Sequence, residues 1–406
     1  WATYSGFDPY GRPSAMTPAD GSSHAVDFTY AGLQKISRRV RIATGASETL
    51  QTTTQVFDRQ GRLYRVNEPL YSSLTDSPEV ANGTTVYLYD AGGRLRQVDQ
   101  TMAEATQHRY FAHDRRGFLT SEQHPEKGAA GNGSVTYSSF DPLGNPGRQD
   151  DGGVLLDRLY DSAGRLTEVR AAGDATRPFL RFTFSASAGN ALGKLITAER
   201  WQELTVPGGA AYRTRVIEGY EYGELGGRVS RRTTEVRISS EVPGATFEQS
   251  FSYTPLGDLA SQVYPKCTNS QCTDDPGTAS PPTVSYSYER GWLTAIPTYA
   301  TSIRYHANGL WSQLVHANNV VDTQANDPYG LARPASLSAA LGSNTLWTSG
   351  SFAFDGIGNP KQIGGSTFRY DAISRLTEAH VKTDALSSTG EVMQTYTYDG
   401  FSNLLT

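Results

Sequence analysis

Apolar and polar residues alternate along this chain in short runs, and each run stops at a turn signal. Thr395-Tyr-Thr-Tyr398 and Ser285-Tyr-Ser-Tyr288 each place two rings on one face of an extended segment. The run then meets Asp, Gly follows three residues later, and a second run opens with Arg or Asn and then an apolar residue. Tyr87-Leu-Tyr-Asp-Ala-Gly-Gly-Arg-Leu-Arg-Gln-Val98 is the clearest copy, and Arg158-Leu-Tyr-Asp-Ser-Ala-Gly-Arg-Leu-Thr-Glu-Val169 follows it almost letter for letter. The pattern predicts pairs of antiparallel strands joined by tight turns.

Each position in the copy has a local reason. Asp at the first turn position can accept a hydrogen bond from the backbone N–H two residues on. Gly three residues later suits the end of a type I turn and the left-handed residue of a bulged hairpin. On this reading Asp8, Asp58, Asp90, Asp114, Asp141, Asp161, Asp327, Asp355, Asp371 and Asp399 are turn residues, with Gly61, Gly93, Gly164 and Gly358 behind them. Leu95 and Val98 stand an odd number of residues apart, so either a bulge intervenes or both sheet faces carry apolar side chains. Copies at 58, 90, 114, 141 and 161 are spaced by 20 to 32 residues, too unevenly for a rigid solenoid. Worn copies such as Phe251-Ser-Tyr-Thr-Pro-Leu-Gly-Asp-Leu259 lack the aspartate.

A lone hairpin is marginal in water, so neighbouring units are expected to pair laterally. Tyr87, Tyr89, Tyr160, Tyr286, Tyr288, Tyr370, Tyr396 and Tyr398 are expected to stack as an aromatic ladder between successive strands. His113 and His306 read as histidines standing in for ladder tyrosines. The arginines after the turns (Arg12, Arg62, Arg94, Arg165, Arg228, Arg375) read as partners of neighbouring acids or as stacking on ring faces.

Composition agrees with many short strands: 41 Gly and 23 Tyr among 406 residues, with 37% hydrophobic content. The 36 basic and 41 acidic residues are interspersed, so no stripe for nucleic acid appears. No apolar run approaches a membrane-spanning length. The chain is read as one continuous array over 1–406, a section of a longer protein, with exposed inserts near 264–282 and 331–350. The second of these is read as a long hairpin tip or a short helix. Cys267 and Cys272 cannot complete a zinc site alone and read as a small disulfide clipping the first insert. The turn aspartates recur too regularly for unique acid–base pairs, and no nucleophile elbow, phosphate loop or HExxH is present. No enzyme activity, metal or cofactor is therefore expected.

The copies at Tyr89-Asp90-Ala-Gly-Gly-Arg-Leu95 and Tyr160-Asp161-Ser-Ala-Gly-Arg-Leu166 resemble YD repeats. That family is shared by bacterial RHS proteins, the C component of insecticidal toxin complexes and the animal teneurins. The resemblance runs from about Phe7 to Leu404. It implies an all-β chain, a continuous strip of hairpins spiralling into part of a hollow shell. In bacterial members the shell often encloses a C-terminal toxin, whereas in teneurins it supports adhesion. The expected function is thus a wall segment of a secreted, extracellular or cell-surface protein. Its expected partners are the rest of the same polypeptide or an enclosed toxin, with a scaffold for adhesion or carbohydrate binding as the alternative. The core segment that closes such shells is absent. Asn326-Asp-Pro-Tyr-Gly-Leu331 carries letters of the family's self-cleavage motif, yet Asp322 stands where a proline is expected. Repeats also resume at Phe352, so Asp327 is read as one more turn.

Overall fold

The structure is a computed structural model. It describes residues 2–32, 34–43, 48–69, 82–102, 105–128, 133–204, 212–223, 226–238, 243–271, 280–371, 373–382, 390–399 and 401–405. Among these residues the chain is all-β, with no α-helix and one short 3-10 turn at Ser22–His24. It divides into two compact units, the first built from 1–111 and 303–406, the second from 112–302.

In both units strands pair antiparallel, mostly with the next one in sequence; in the second unit Leu259–Val263 instead pairs with Thr283–Ser285, and Lys266–Cys267 pairs back with Ala245–Tyr253. The first unit starts with Thr3–Phe7 on Pro13–Thr17 and continues through Lys35–Ala43 on Glu48–Phe57 to Asn82–Tyr89 on Leu95–Met102. Its later part pairs Val320–Asn326 with Pro334–Leu341 and ends with Leu376–Lys382 on Glu391–Thr395. The second unit repeats the arrangement, for example Val154–Tyr160 on Leu166–Ala171 and Leu195–Leu204 on Tyr212–Tyr222. Most strand residues in either unit are half-buried, as in a sheet one layer thick. Among the described residues fully covered apolar side chains are few, and a buried cluster joins Val26 and Val40 to Met16, Phe28 and Tyr370 in the first unit.

A bulge settles the odd spacing of Leu95 and Val98. Tyr87 lies opposite Val98, Leu88 opposite Gln97 and Tyr89 opposite Leu95, so Arg96 is the extra residue. Both apolar side chains therefore share the face of the two tyrosines. The same irregularity recurs at Val56/Phe57, Leu159/Tyr160, Glu221/Tyr222 and Arg369/Tyr370. Where the bulged residue is threonine, its hydroxyl donates to the carbonyl across the ladder: Thr167 to Leu159 (3.1 Å) and Thr377 to Arg369 (3.2 Å).

The segment 331–350 takes the hairpin alternative and not the helix, with residues 341–347 exposed at its tip. Pro334–Leu341 and Asn344–Phe354 form a paired hairpin closed by Gly342 and Ser343, with Gly342 at φ 59°. Gly-Ser between two uncharged runs is a two-residue hairpin signal that outweighs the alanine content. In the segment 264–282, Lys266–Cys267 pairs with Phe247 and Glu248, and 272–279 lie outside the described residues.

Candidate functional site: the turn clamp and the tyrosine junction

The repeated chemistry of this chain sits at its turns. In the turn at Asp58 the Gly61 N–H donates to the Asp58 carbonyl (3.0 Å), and the Asp58 N–H donates to the Arg62 carbonyl (2.8 Å). Gly61 has φ 78°, the left-handed conformation that closes a type I turn with a bulge. The Asp58 carboxylate fills the loop. Its Oδ1 accepts the N–H groups of Gln60 and Arg62, each at 2.9 Å, while Oδ2 accepts Arg62 Nε at 2.7 Å. One side chain thus satisfies two backbone donors and holds a guanidinium.

This clamp recurs at nearly every aspartate named from the sequence. Arg12 closes on Asp8, Arg94 on Asp90, Arg165 on Asp161 and Arg375 on Asp371. Asparagine does the same with its amide: Asn145 on Asp141, Asn359 on Asp355 and Asn403 on Asp399. At Asp114 the clamp comes from Arg116 instead, and Phe118 takes the position four residues on. Gly93, Gly164 and Gly358 all have positive φ, and Ser374 takes the same conformation at φ 69°. The Arg165 guanidinium and then the Arg165 backbone N–H hold the Asp161 carboxyl below its usual range, against an opposing desolvation effect. At Asp90 the Arg94 backbone N–H contributes most to the same lowering. At Asp161 and Asp90 the carboxylate is thus held in its charged form as an acceptor for the turn.

The second half of the site is the junction between hairpins. Arg62 Cζ lies 4.5 Å from the ring centre of Tyr89, the residue before the next turn, and Arg375 lies 4.7 Å from Tyr398. Arg12 over Tyr30, Arg165 over Phe184 and Lys194 over Tyr222 repeat the contact. The tyrosine hydroxyl then donates to the carbonyl of the residue just after the turn cation or amide. Tyr89 reaches Leu63 (2.8 Å), Tyr160 reaches Pro146 (3.2 Å), Tyr370 reaches Pro360 (2.9 Å) and Tyr398 reaches Leu376 (2.9 Å). Tyr30, Tyr222 and Tyr253 do likewise to Pro13, Leu195 and Val229.

The ladder therefore alternates ring and cation, and the expected ring-on-ring stack is corrected at Tyr89 and Tyr398. Strands that precede successive turns lie two strand spacings apart, about 9.6 Å. Ring centres need roughly 4.5–7 Å to interact. The guanidinium fills the gap. Where Phe118 follows the turn, its ring contacts Phe140 of the next hairpin at 5.4 Å.

The remaining tyrosines lie elsewhere. Tyr87 faces Val98, and burial followed by the charge of Glu68 raises its pKa. The Tyr286 hydroxyl accepts Gln262 Nε2 (2.7 Å), Tyr288 lies opposite Leu293, and the Tyr396 hydroxyl donates to Gln394 (2.8 Å). His306 does not replace a tyrosine. It occupies the aspartate position of a turn, its N–H donating to Leu310 and its carbonyl accepting Gly309 N–H, with Nε2 2.7 Å from the Gln324 carbonyl. Cys267 is disulfide-bonded, and Cys272 lies outside the described residues. Among the described residues no three His, Cys, Asp or Glu side chains are grouped to hold a metal, and no helix is long and apolar enough to cross a membrane.

What sequence reasoning left as alternatives, an acid partner or a ring, Arg12, Arg62, Arg165 and Arg375 take at once: each holds the aspartate of its own turn and stacks on the ring of the next hairpin. The signal was present, because Arg or Asn four residues after Asp recurs in copy after copy.

No family profile and no curated protein matches the sequence. Solved structures do. The crystal structure of TcdB2-TccC3-Cdc42 superposes with a TM-score of 0.73 at 16% identity, covering 99% of this chain and 21% of that one. TcdB2-TccC3-TEV gives a TM-score of 0.71 at 16% identity with the same coverage, and TcdB2-TccC3 gives 0.68 at 15%, covering 99% and 22%. The chain spans about a fifth of the length of the toxin-complex chains it resembles, and it has their fold over that stretch.

Proposed function

We propose that this chain is a stretch of wall in an RHS-type shell, a non-catalytic scaffold outside the cytoplasm that encloses or presents another polypeptide. The junction between hairpins carries the reading. Turn cations and tyrosine hydroxyls are engaged by the neighbouring hairpin, so repetition extends a strip of sheet and assembles no unique reacting centre. The likeness to toxin-complex chains over 99% of this chain supports the same reading. The disulfide at Cys267 favours an oxidising compartment.

The test uses the natural polypeptide that contains this chain. Limited proteolysis in native buffer should spare a segment outside the array, and that segment should become cleavable once the array is unfolded in denaturant. Equal cleavage rates inside and outside denaturant would overturn the enclosure. Binding to immobilised glycans, with no protected segment, would favour the surface scaffold instead.

A further inference from the structure

One turn in the first unit departs from the rest. Arg333 follows Asp327 by six residues instead of four, and it still places Nε 2.7 Å from Asp327 Oδ2 with its guanidinium 4.5 Å from the ring of Phe354. Elsewhere the free arm of the clamp reaches the adjacent hairpin, as Arg12 Nη1 reaches the Gly32 carbonyl and Arg165 Nη1 the Gly193 carbonyl. Arg333 Nη2 instead donates to Asp20 Oδ2 at 2.7 Å, across 313 positions of sequence. The same oxygen lies 2.9 Å from His24 Nδ1, and Asp20 Oδ1 is buried with no partner.

The surroundings of this contact are unlike those of the other turns. Side chains of Asp8, Asp58 and Asp161 keep about a fifth to a quarter of their surface exposed (26%, 19% and 23%). Asp327, Asp355 and Asp371, three successive turn aspartates, retain 6%, 0% and 3%. At this edge of the first unit, Asp20 and His24 meet the Asp327 turn, and Tyr370 packs with Met16 and Phe28 against Val26 and Val40.

We propose that residues 13–32 and 34–43 form a flap over the turn edge of the later hairpins in this unit, and that Arg333 is the clasp that holds the flap shut. Freeing Asp20 opens the flap while the hairpins beneath stay folded. The physical reason is locality. Each covered hairpin keeps its own five- or seven-residue clamp and its own ladder, whereas the seam depends on one shared guanidinium and a small apolar cluster. The flap stays attached through the pairing of Lys35–Ala43 with Glu48–Phe57.

Hydrogen exchange on the full chain tests this. In Asp20→Asn the amides of Tyr329 and Gly330 should exchange at least tenfold faster, while those of Gln60 and Gly61, in an uncovered turn, should keep their rates. His24→Ala removes one of the two donors to Asp20 and should give a smaller increase at the same amides. Should Asp20→Asn fail to fold, Asp20→Ser replaces it, because it removes the carboxylate from Arg333 and leaves the Asp327–Arg333 clamp in place. Unchanged rates at Tyr329 and Gly330 would overturn the clasp, as would an equal rise at Gln60 and Gly61. An effect of His24→Ala as large as that of Asp20→Asn would assign the clasp to the wrong residue.

Discussion

Replacing Asp355 with alanine separates a buried turn clamp from an exposed one. Asp355 has no exposed surface, and its Oδ1 accepts the N–H groups of Ile357 (3.1 Å), Gly358 (3.0 Å) and Asn359 (2.8 Å), while Oδ2 accepts Asn359 Nδ2 (2.9 Å). Gly358 N–H keeps a second partner in the Asp355 carbonyl. Alanine therefore leaves two backbone donors and one amide donor unsatisfied where water cannot readily enter. An unmet buried donor costs about 1–3 kcal/mol, and some relaxation of the Asn359 side chain is expected, so the loss should be roughly 3–4 kcal/mol. Asp161→Ala deletes two backbone bonds and the Arg165 guanidinium bond at a wetter turn, where water can replace the carboxylate. It should lose distinctly less. Urea titration read by hydrogen exchange on peptides from 344–371 and from 154–171 measures each hairpin separately, which avoids assuming one transition for the whole chain. Equal losses at the two turns would refute the reasoning, because burial would then contribute nothing to the clamp.

Three further outcomes follow from individual residues. Ser374→Gly should stabilise its hairpin by about 1 kcal/mol, since serine at φ 69° carries a strain that glycine lacks; a lower unfolding midpoint would contradict this. His380 has its pKa raised by hydrogen bonds to Glu391 and then Glu378. Its stabilising effect is therefore fully present below the unfolded histidine value and fades as pH rises through the folded one. Protection factors, taken relative to intrinsic exchange at each pH, should fall over that window in Leu376–Lys382 and Glu391–Thr395 of the parent chain, and His380→Gln should flatten that fall. Burial, with the charge of Asp355 adding to it, pushes the Tyr370 hydroxyl up to about 12. Ultraviolet titration of the parent against Tyr370→Phe should show one phenol ionising well above the exposed tyrosines, and a difference spectrum centred near 10 would exclude that environment.

The turn was legible because its chemistry is confined to five consecutive residues. Asp for two backbone donors, Gly for positive φ, and Arg or Asn to close the clamp can be read from any copy between Gln55 and Val66 or Tyr87 and Val98. The bulge was legible only as a contradiction. The spacing of Leu95 and Val98 demanded an extra residue or a second apolar face, and the pairing of Tyr89 with Leu95 decides for the extra residue. At 334–354 the alanine and serine content left a hairpin tip and a short helix both open, and the pairing across Gly342-Ser343 decides for the hairpin.

By itself the sequence determined what lies within one hairpin: strand, turn and a ring before most of the turn aspartates, with Asn326 before Asp327 as an exception. Tertiary structure decided what each ring touches, because neighbouring hairpins place their rings two strands apart and the residue after the turn fills the gap, a guanidinium at Tyr89 and Tyr398 and a second ring at Phe140. It also decided which turns are covered. Asp8 and Asp327 share the letters Asp-Pro-Tyr-Gly, yet Asp8 is partly exposed and Asp327 is buried against a guanidinium shared with Asp20. Local letters cannot encode that difference, since it depends on residues more than 300 positions away arriving at the same edge.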